Sequence, residues 1–296
     1  DCEGGVSQAK LPFHEEVRSP DALLASGLAV IDSAFAAGAV AMVPLLSGGH
    51  DSISACHVAG LHPRFGGDVY HIDTGIGSKA TRAFVESTCR ELGWRLSVFK
   101  SPSTYEKFVR ERGFPGPGRH HWIYVRIKER CIRQMTAGRE RRALITGCRK
   151  EESTRRMGTV EPLKIGEVRP KTGKVTDKKR AWTAPCHDWS DREQRDYMDE
   201  HDLPRNPLKE KLGMSGECFC GAFAMPNEIE LVRRHAPDVA AEIDRLTAIA
   251  RECGKHAVWG TRPPREKKGL VMVKTGELCN GCDRRAASAG LLFANH

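Results

Sequence analysis

The stretch from Val40 to Ser52, VAMVPLLSGGHDS, decides the fold. Its first half is a short, wholly apolar run of the kind that fills a strand buried on both faces. Ser47-Gly48-Gly49 then turns the chain, and from Asp51 to Val58 the pattern reads as the start of a helix. A strand that ends in glycines and feeds a helix is suited to holding phosphate. Glycine tolerates positive φ and close backbone approach, and the free N–H groups of the first helical turn point at an anion. Ser47 and Ser52 add hydroxyl donors, and Asp51 offers oxygen ligation for Mg²⁺. The chain has no G-x-x-x-x-G-K-[ST] run around this turn, which sets it apart from the usual γ-phosphate loop.

Outward from this turn the chain alternates short β-rich runs with helical stretches, which predicts an α/β fold with a mostly parallel sheet and helices on both faces. Strands are expected at Asp68 to Thr74, Arg95 to Lys100, Ala143 to Thr146 and Ala181 to Pro185, with helices over Lys79 to Leu92 and Trp122 to Thr136. Upstream, Pro20 to Ala37 reads as a helix with Asp21 favouring its first turn. Beyond Asp191 the texture is helical, with apolar residues spaced for two helices divided at Pro237 and a last β-run at Leu270 to Val273. The expected organisation is an N-terminal helical segment over residues 1–38, a nucleotide-binding domain over 39–210 and a smaller helical cysteine-containing unit over 211–296.

The net charge of +9 suits a polyanionic partner such as a nucleotide or nucleic acid. Lys164 to Arg180 concentrates seven basic residues against two acidic ones and reads as a basic loop or hairpin beside the site. No apolar run is long enough to span a bilayer, so a cytoplasmic protein without a membrane partner is expected. Eleven cysteines in such a chain argue for metal or cluster chemistry rather than a disulfide framework. Glu217-Cys218-Phe219-Cys220-Gly221 and Leu278-Cys279-Asn280-Gly281-Cys282 form a C-x-C and a C-x₂-C. Four thiolates on Cys218, Cys220, Cys279 and Cys282 suit either a [4Fe-4S] cluster or Zn²⁺, with isolated structural cysteines as the plain alternative.

Four ordered motifs give the chain a family likeness. Ser47 to Ser52 resembles the SGGxDS signature of the PP-loop ATP pyrophosphatases. Asp73-Thr74-Gly75 is similar to the Asp-Thr-Gly that follows the second strand in the phosphoadenylylsulfate (PAPS) reductase branch. Gly147 to Arg156 is similar to that branch's Gly-x-Arg-x-x-Glu-Ser-x-Arg segment, and Trp189 to Leu208 to its stretch ending in Leu-Pro-x-Asn-Pro-Leu. The resemblance implies an adenine nucleotide alpha hydrolase-like fold. It also implies an ATP and phosphate site built from Ser47, Gly48, Gly49, His50, Asp51, Ser52, Asp73, Thr74, Gly75 and Gly147. Asp51, Arg149, Glu152 and Arg155 become the candidate catalytic residues, the two arginines as clamps on phosphate charge. The family often has Lys where His50 stands; either arginines compensate for the weaker attraction or position 50 points away from phosphate.

Taken further, the resemblance implies cleavage of ATP to AMP and pyrophosphate, with AMP activating an acceptor for sulfur transfer. The character is closest to the ATP pyrophosphatases of bacterial DNA phosphorothioation systems, in which DNA is the acceptor and a cysteine desulfurase supplies sulfur; several relatives carry iron–sulfur clusters. The alternative is a thiol-dependent sulfonucleotide (PAPS or APS) reductase, because Glu252-Cys253-Gly254-Lys255-His256 resembles the motif that carries its nucleophile. Against that, Gly254 also suits an ordinary helix end. Trp122 and Tyr124 lie beside His120 and His121, where core packing explains a helical aromatic more simply than base stacking does.

Overall fold

A computed structural model describes residues 17–151, 161–168 and 175–262. The first helix, α1 (Pro20–Ala36), starts at the Ser19 cap and leads into β1 (Ala39–Pro44), the phosphate-type turn and α2 (His50–Gly60). There follow β2 (Asp68–Asp73), α3 (Lys79–Glu91), β3 (Arg95–Lys100) and α4 (Tyr105–Arg112). A helical run from His120 to Met135 comprises α5 (His120–Ile123), a π turn (Tyr124–Lys128) and α6 (Glu129–Met135). After β4 (Arg141–Ile145) come β5 (Leu163–Val168) and β6 (Val175–Thr183), then α7 (Asp191–Glu200), α8 (Pro207–Leu212), α9 (Ile229–His235) and α10 (Pro237–Glu252).

Strand β1 pairs in parallel with β4, and β4 with β6, while β5 runs antiparallel along the outer edge of β6. On the other side β2 and β3 form a parallel pair, joined to β1 through the bridge between Leu45 and Tyr70 and the bond from Leu46 N to Tyr70 O at 2.9 Å. The spatial order is therefore β3-β2-β1-β4-β6-β5. The chain leaves β1 toward one side and later returns to β4 on the other. That reversal opens a crevice at the carboxyl ends of β1 and β4, where open α/β sheets bind ligands.

Alternate residues of the central strands feed opposite faces. Met42, Ala143 and Ile145 join a core with Leu23, Ile31, Ile53, Val58, Tyr197 and Met198 of α1, α2 and α7. Val43 and Leu144 join Cys131, Ile132 and Met135 of α6 on the reverse face. A third core gathers Tyr105, Phe108, Ile123 and Ile127 with Phe219, Val232, Ile243 and Leu246. Helices α4 and α5 thus share a core with α9 and α10, across the boundary at residue 211 that the sequence pattern draws.

The expected strands stand at β1 to β4, and the helical stretch beyond Asn227 is divided at Pro237, whose ring begins α10. The strand expected at Ala181 to Pro185 instead begins at Val175, because its register is set by antiparallel pairing with β5. The basic segment is largely this hairpin. Its last residue, Arg180, is no surface cation: it is 1% exposed and bonds both carboxylate oxygens of Glu129 at 3.0 Å. Helix α4, capped by Thr104, has no counterpart in the sequence expectations. Leu270 to Val273 lies outside the described residues.

Candidate nucleotide site

The turn after β1 is shaped by contacts that only glycine permits. Gly48 has φ +81°, and a Cβ there would stand 3.0 Å from Thr81 and 3.2 Å from Val85. Gly49 caps α2 without any side-chain bond, so the first-turn amides of α2 have no internal competitor for an anion. Ser52 Oγ donates to Gly49 O at 2.7 Å and lies 3.1 Å from Ser47 Oγ, which holds the turn closed on itself. Gly147, just past β4, packs directly against the start of α2: a Cβ would fall 2.5 Å from the Asp51 carbonyl carbon and from Ser52 N. Ser47, Gly49, Ser52 and Gly147 thereby meet at one recess of the cleft wall.

Two residues outside the sequence-derived site lock this arrangement. Asn206, 1% exposed, donates from Nδ2 to Gly48 O at 2.9 Å and to Ser215 O at 3.0 Å, while its Oδ1 caps α8 at Leu208 N. Gln194 of α7 donates to Asp51 Oδ1 at 2.7 Å. Asp51 also accepts from Arg149 Nε, whose other nitrogens bond Trp189 O at 3.0 Å and Asp191 at 2.6 Å. Burial opposes the charge on Arg149, and Asp51 and Asp191 outweigh it, so the guanidinium stays protonated. Every Arg149 nitrogen is turned inward, and the residue ties α2 to α7 rather than reaching across the crevice. Asp51 Oδ1 is committed to the same network.

The crevice is a cleft of ≈ 440 Å³ walled by Ser47, Gly49, Ser52, Thr146, Gly147 and Cys148 on the phosphate side. Tyr70, Ile72 and Trp182 supply apolar lining, and Lys128, Glu217, Cys218 and Cys220 also line the cleft. The C-x-C turn is carried there by the loop after β2. Thr74 Oγ1 donates to Glu217 O at 2.7 Å, Ser78 N to Gly216 O at 2.9 Å and Phe219 N to Ile76 O at 2.9 Å. At Gly77 a Cβ would stand 2.5 Å from Glu217 O. Thr74, Ile76, Gly77 and Ser78 therefore position the cysteine turn. The Asp73 carboxyl, disfavoured by burial, is nonetheless held below the usual range by the Gly75 amide and Lys100.

Lys128 Nζ meets Glu217 Oε2 at 2.7 Å. Hydrogen bonding from Cys220 lowers the Cys218 thiol most, burial works the other way, and the Lys128 ammonium adds to the lowering. Neighbouring thiols of this character suit a soft metal or a cluster, and they form half of the expected ligand set. Cys279 and Cys282 lie outside the described residues, as do Glu152 and Arg155. Among the described residues no group of three or more His, Cys, Asp or Glu is placed to hold a metal ion. For Mg²⁺, the acidic side chains on the cleft wall are Asp51 and Glu217, each with an oxygen engaged by a cation. A magnesium ion fits there chiefly through nucleotide phosphates and water.

Comparison with known proteins agrees with this geometry. The phosphoadenosine phosphosulfate reductase domain matches residues 41–215, the span that builds the turn, the recess and the lock. The chain belongs to this family. A phosphoadenosine 5'-phosphosulfate reductase of Xylella fastidiosa (strain M23) is 27% identical over 205 residues, covering 66% of this chain and 76% of its own. That of Xanthomonas axonopodis pv. citri is 25% identical over 193 residues, covering 62% and 69%. A solved PAPS reductase from Candida auris, in complex with phosphate, aligns at a TM-score of 0.44 and 15% identity, over 70% of this chain and 94% of that one.

Two of the residues singled out in the sequence stand off the cleft wall of this PAPS reductase family member. His50 turns away from the cleft toward Glu210 on α8, 3.4 Å from its carboxylate. Burial keeps its imidazole below the usual range, with Glu210 opposing, so it carries little positive charge at neutral pH. The cation on the cleft wall near the turn is instead Lys209, one residue before Glu210. Cys253 is equally remote. It closes α10, where Gly254 takes φ +63° and the Gly254 and Lys255 amides bond Arg251 O and Ala250 O. Its neighbour is Arg110 of α4, and it forms no part of the cleft wall. Among the described residues no helix is long and apolar enough to cross a membrane.

Proposed function

We propose that this chain is an ATP pyrophosphatase that transfers AMP to an acceptor for sulfur insertion, with DNA as the acceptor and a cysteine desulfurase as the sulfur source. The observation that carries the reading is the meeting of Ser47, Gly49, Ser52 and Gly147 on the cleft wall at the uncapped start of α2, an arrangement suited to a phosphate group. An acceptor oxygen attacks the α-phosphorus, the bond from that phosphorus to the bridging oxygen breaks, and pyrophosphate departs. A sulfur nucleophile then displaces AMP from the activated acceptor. The amides of α2 and the Ser47 and Ser52 hydroxyls would stabilise charge growing on the phosphates, a contribution of positioning and electrostatics. Bound Mg²⁺ supplies further neutralisation of the leaving pyrophosphate. Cys218 and Cys220 would hold a [4Fe-4S] cluster, or Zn²⁺, at the cleft lining.

A second reading, thiol-dependent reduction of a sulfonucleotide, is favoured by the names of the relatives. It requires Cys253 to reach the bound nucleotide, and the cap at Gly254 holds that cysteine at a helix end. Incubation with ATP labelled at the α-phosphate and Mg²⁺ separates the two. With water standing in for the acceptor, the proposal expects labelled AMP and pyrophosphate in equal amounts, undiminished in Cys253→Ala. Sulfite released from a sulfonucleotide in the presence of a thiol donor, lost in Cys253→Ala and with ATP left intact, would overturn it.

A further inference from the structure

The helical run that lines the cleft presents a second, outward face. His120, Tyr124 and Lys128 stand on the cleft wall, and the His120 ring lies 4.7 Å from that of Phe223. Between them on the same run, Trp122 is 42% exposed, and Val125 is 39% exposed. Trp122 is thus not packed in the core as helical spacing alone suggests. Two guanidinium groups lie over its ring: Arg112 at 5.6 Å, from the end of α4, and Arg119 at 5.2 Å, from the residue preceding α5. Neither arginine forms a close ion pair among the described residues, although Glu111 attracts Arg112 through space. Glu111, beside Arg112, is bonded to Arg126 at 2.8 Å, and Glu106 is taken by Arg110 and Arg245.

From Tyr105 to Lys128 the chain holds six Lys and Arg against two Glu. An exposed indole covered only by guanidiniums that form no close ion pair can exchange a guanidinium for a base, and the displaced cation can meet the phosphate beside it. A protein partner would instead be expected to meet a broader apolar patch with a neutral centre. A duplex offers no unstacked base to an indole on a helix side.

We infer that Trp122, Arg112 and Arg119 form a docking surface for a single-stranded nucleic acid on the helical run whose His120 and Tyr124 line the cleft. One base takes the place of a guanidinium over Trp122, and the two arginines hold the adjoining phosphates. This deepens the proposed function, and rests on it, in so far as it gives the form in which a nucleic-acid acceptor approaches; the binding surface itself requires no turnover.

The test is fluorescence anisotropy of the full chain with a fluorescein-labelled DNA strand of about 12 mixed-sequence nucleotides. Trp122→Ala should weaken binding at least about fivefold, with Trp122→Phe retaining most of the affinity. Arg112→Gln with Arg119→Gln should lessen the slope of log affinity against log salt by about 1.4. All variants should keep the parent Tm and, because these residues lie outside the cleft wall, the parent rate of ATP cleavage. Equal affinity of the parent and Trp122→Ala overturns the inference, as does equal affinity for a blunt duplex of the same sequence. So does a Trp122→Ala effect seen only on the sedimentation coefficient, which would assign the surface to a second copy of the chain. Strand binding that depends on Trp122 without ATP cleavage would leave this surface standing and remove the proposed function; ATP cleavage without such binding would do the reverse.

Discussion

Gly147 shows how much a single missing methyl group decides. Its backbone lies against Asp51 and Ser52 so closely that a Cβ would be 2.5 Å from main-chain atoms. Backbone cannot rotate aside as a side chain does, so Gly147→Ala must part β4 from α2 and open the recess. Overpacking of this kind costs about 1–3 kcal/mol. Nucleotide affinity should fall about tenfold or more, measurable by equilibrium dialysis, and an unchanged affinity would mean that the recess is not where phosphate sits. Arg149 makes the complementary case. A phosphate clamp replaced by Met would raise KM and spare stability, whereas an internal tie would lose stability, since breaking a buried pair costs about 3–5 kcal/mol. The inward bonds of Arg149 predict the second outcome. They also predict that Asp51→Asn added to Arg149→Met recovers part of the loss in a denaturation double-mutant cycle, because the uncompensated carboxylate is then gone. Additive losses would mean that the two side chains do not act as a pair.

At the scale of elements, the sequence pattern was legible wherever one element suffices. The apolar run ending at Leu46, the Ser78 cap of α3 and the proline that opens α10 each declare themselves within a few residues. Pairings between distant elements do not. Spacing gives no sign that Asn206 would bond Gly48, that Lys128 would meet Glu217, or that the loop from Thr74 to Ser78 would hold the cysteine turn. The one available hint for Asn206 was its place before Pro207, a helix-capping position in a segment with a family likeness.

The packing of α2 on α7 is another such pairing, and it titrates. His57 meets Tyr197 Oη at 2.8 Å, and burial pushes its imidazole down to about 4, with His201 adding to the effect. An unfolded histidine titrates near 6.5. Between those values the unfolded chain takes up a proton that the folded one refuses, so this contribution is intact above the window and fades as pH falls through it. Glu193, held down to about 2 by Arg18, acts the same way in a lower window, beginning near its ordinary 4.5. Tm should therefore decline from pH 6.5 toward 4.5, and less steeply in His57→Gln. An equal slope in both proteins would clear His57 as the source.

Across the whole molecule, the cleft lies where separately packed regions meet. Ser47 and Gly147 belong to the sheet and its α2 face, whereas Phe219 sits in the core built from α4, α5, α9 and α10. Named bonds join these regions: Asn206 bonds the glycine turn and Ser215 together, Thr81 bonds Ser215 O, and the loop after β2 holds residues 216–219. A nucleotide lying in the cleft touches both sides and should couple their local opening, since a ligand stabilises whatever must be closed to bind it. Hydrogen exchange in the presence of ATP should then slow together at residues 47–53 and 214–220, two segments that Asn206 bonds to each other. The amides of α10, already buried in their own core, should change little. Protection confined to residues 47–53 would mean that the nucleotide rests on the sheet alone, and that the cysteine turn takes no part in enclosing it.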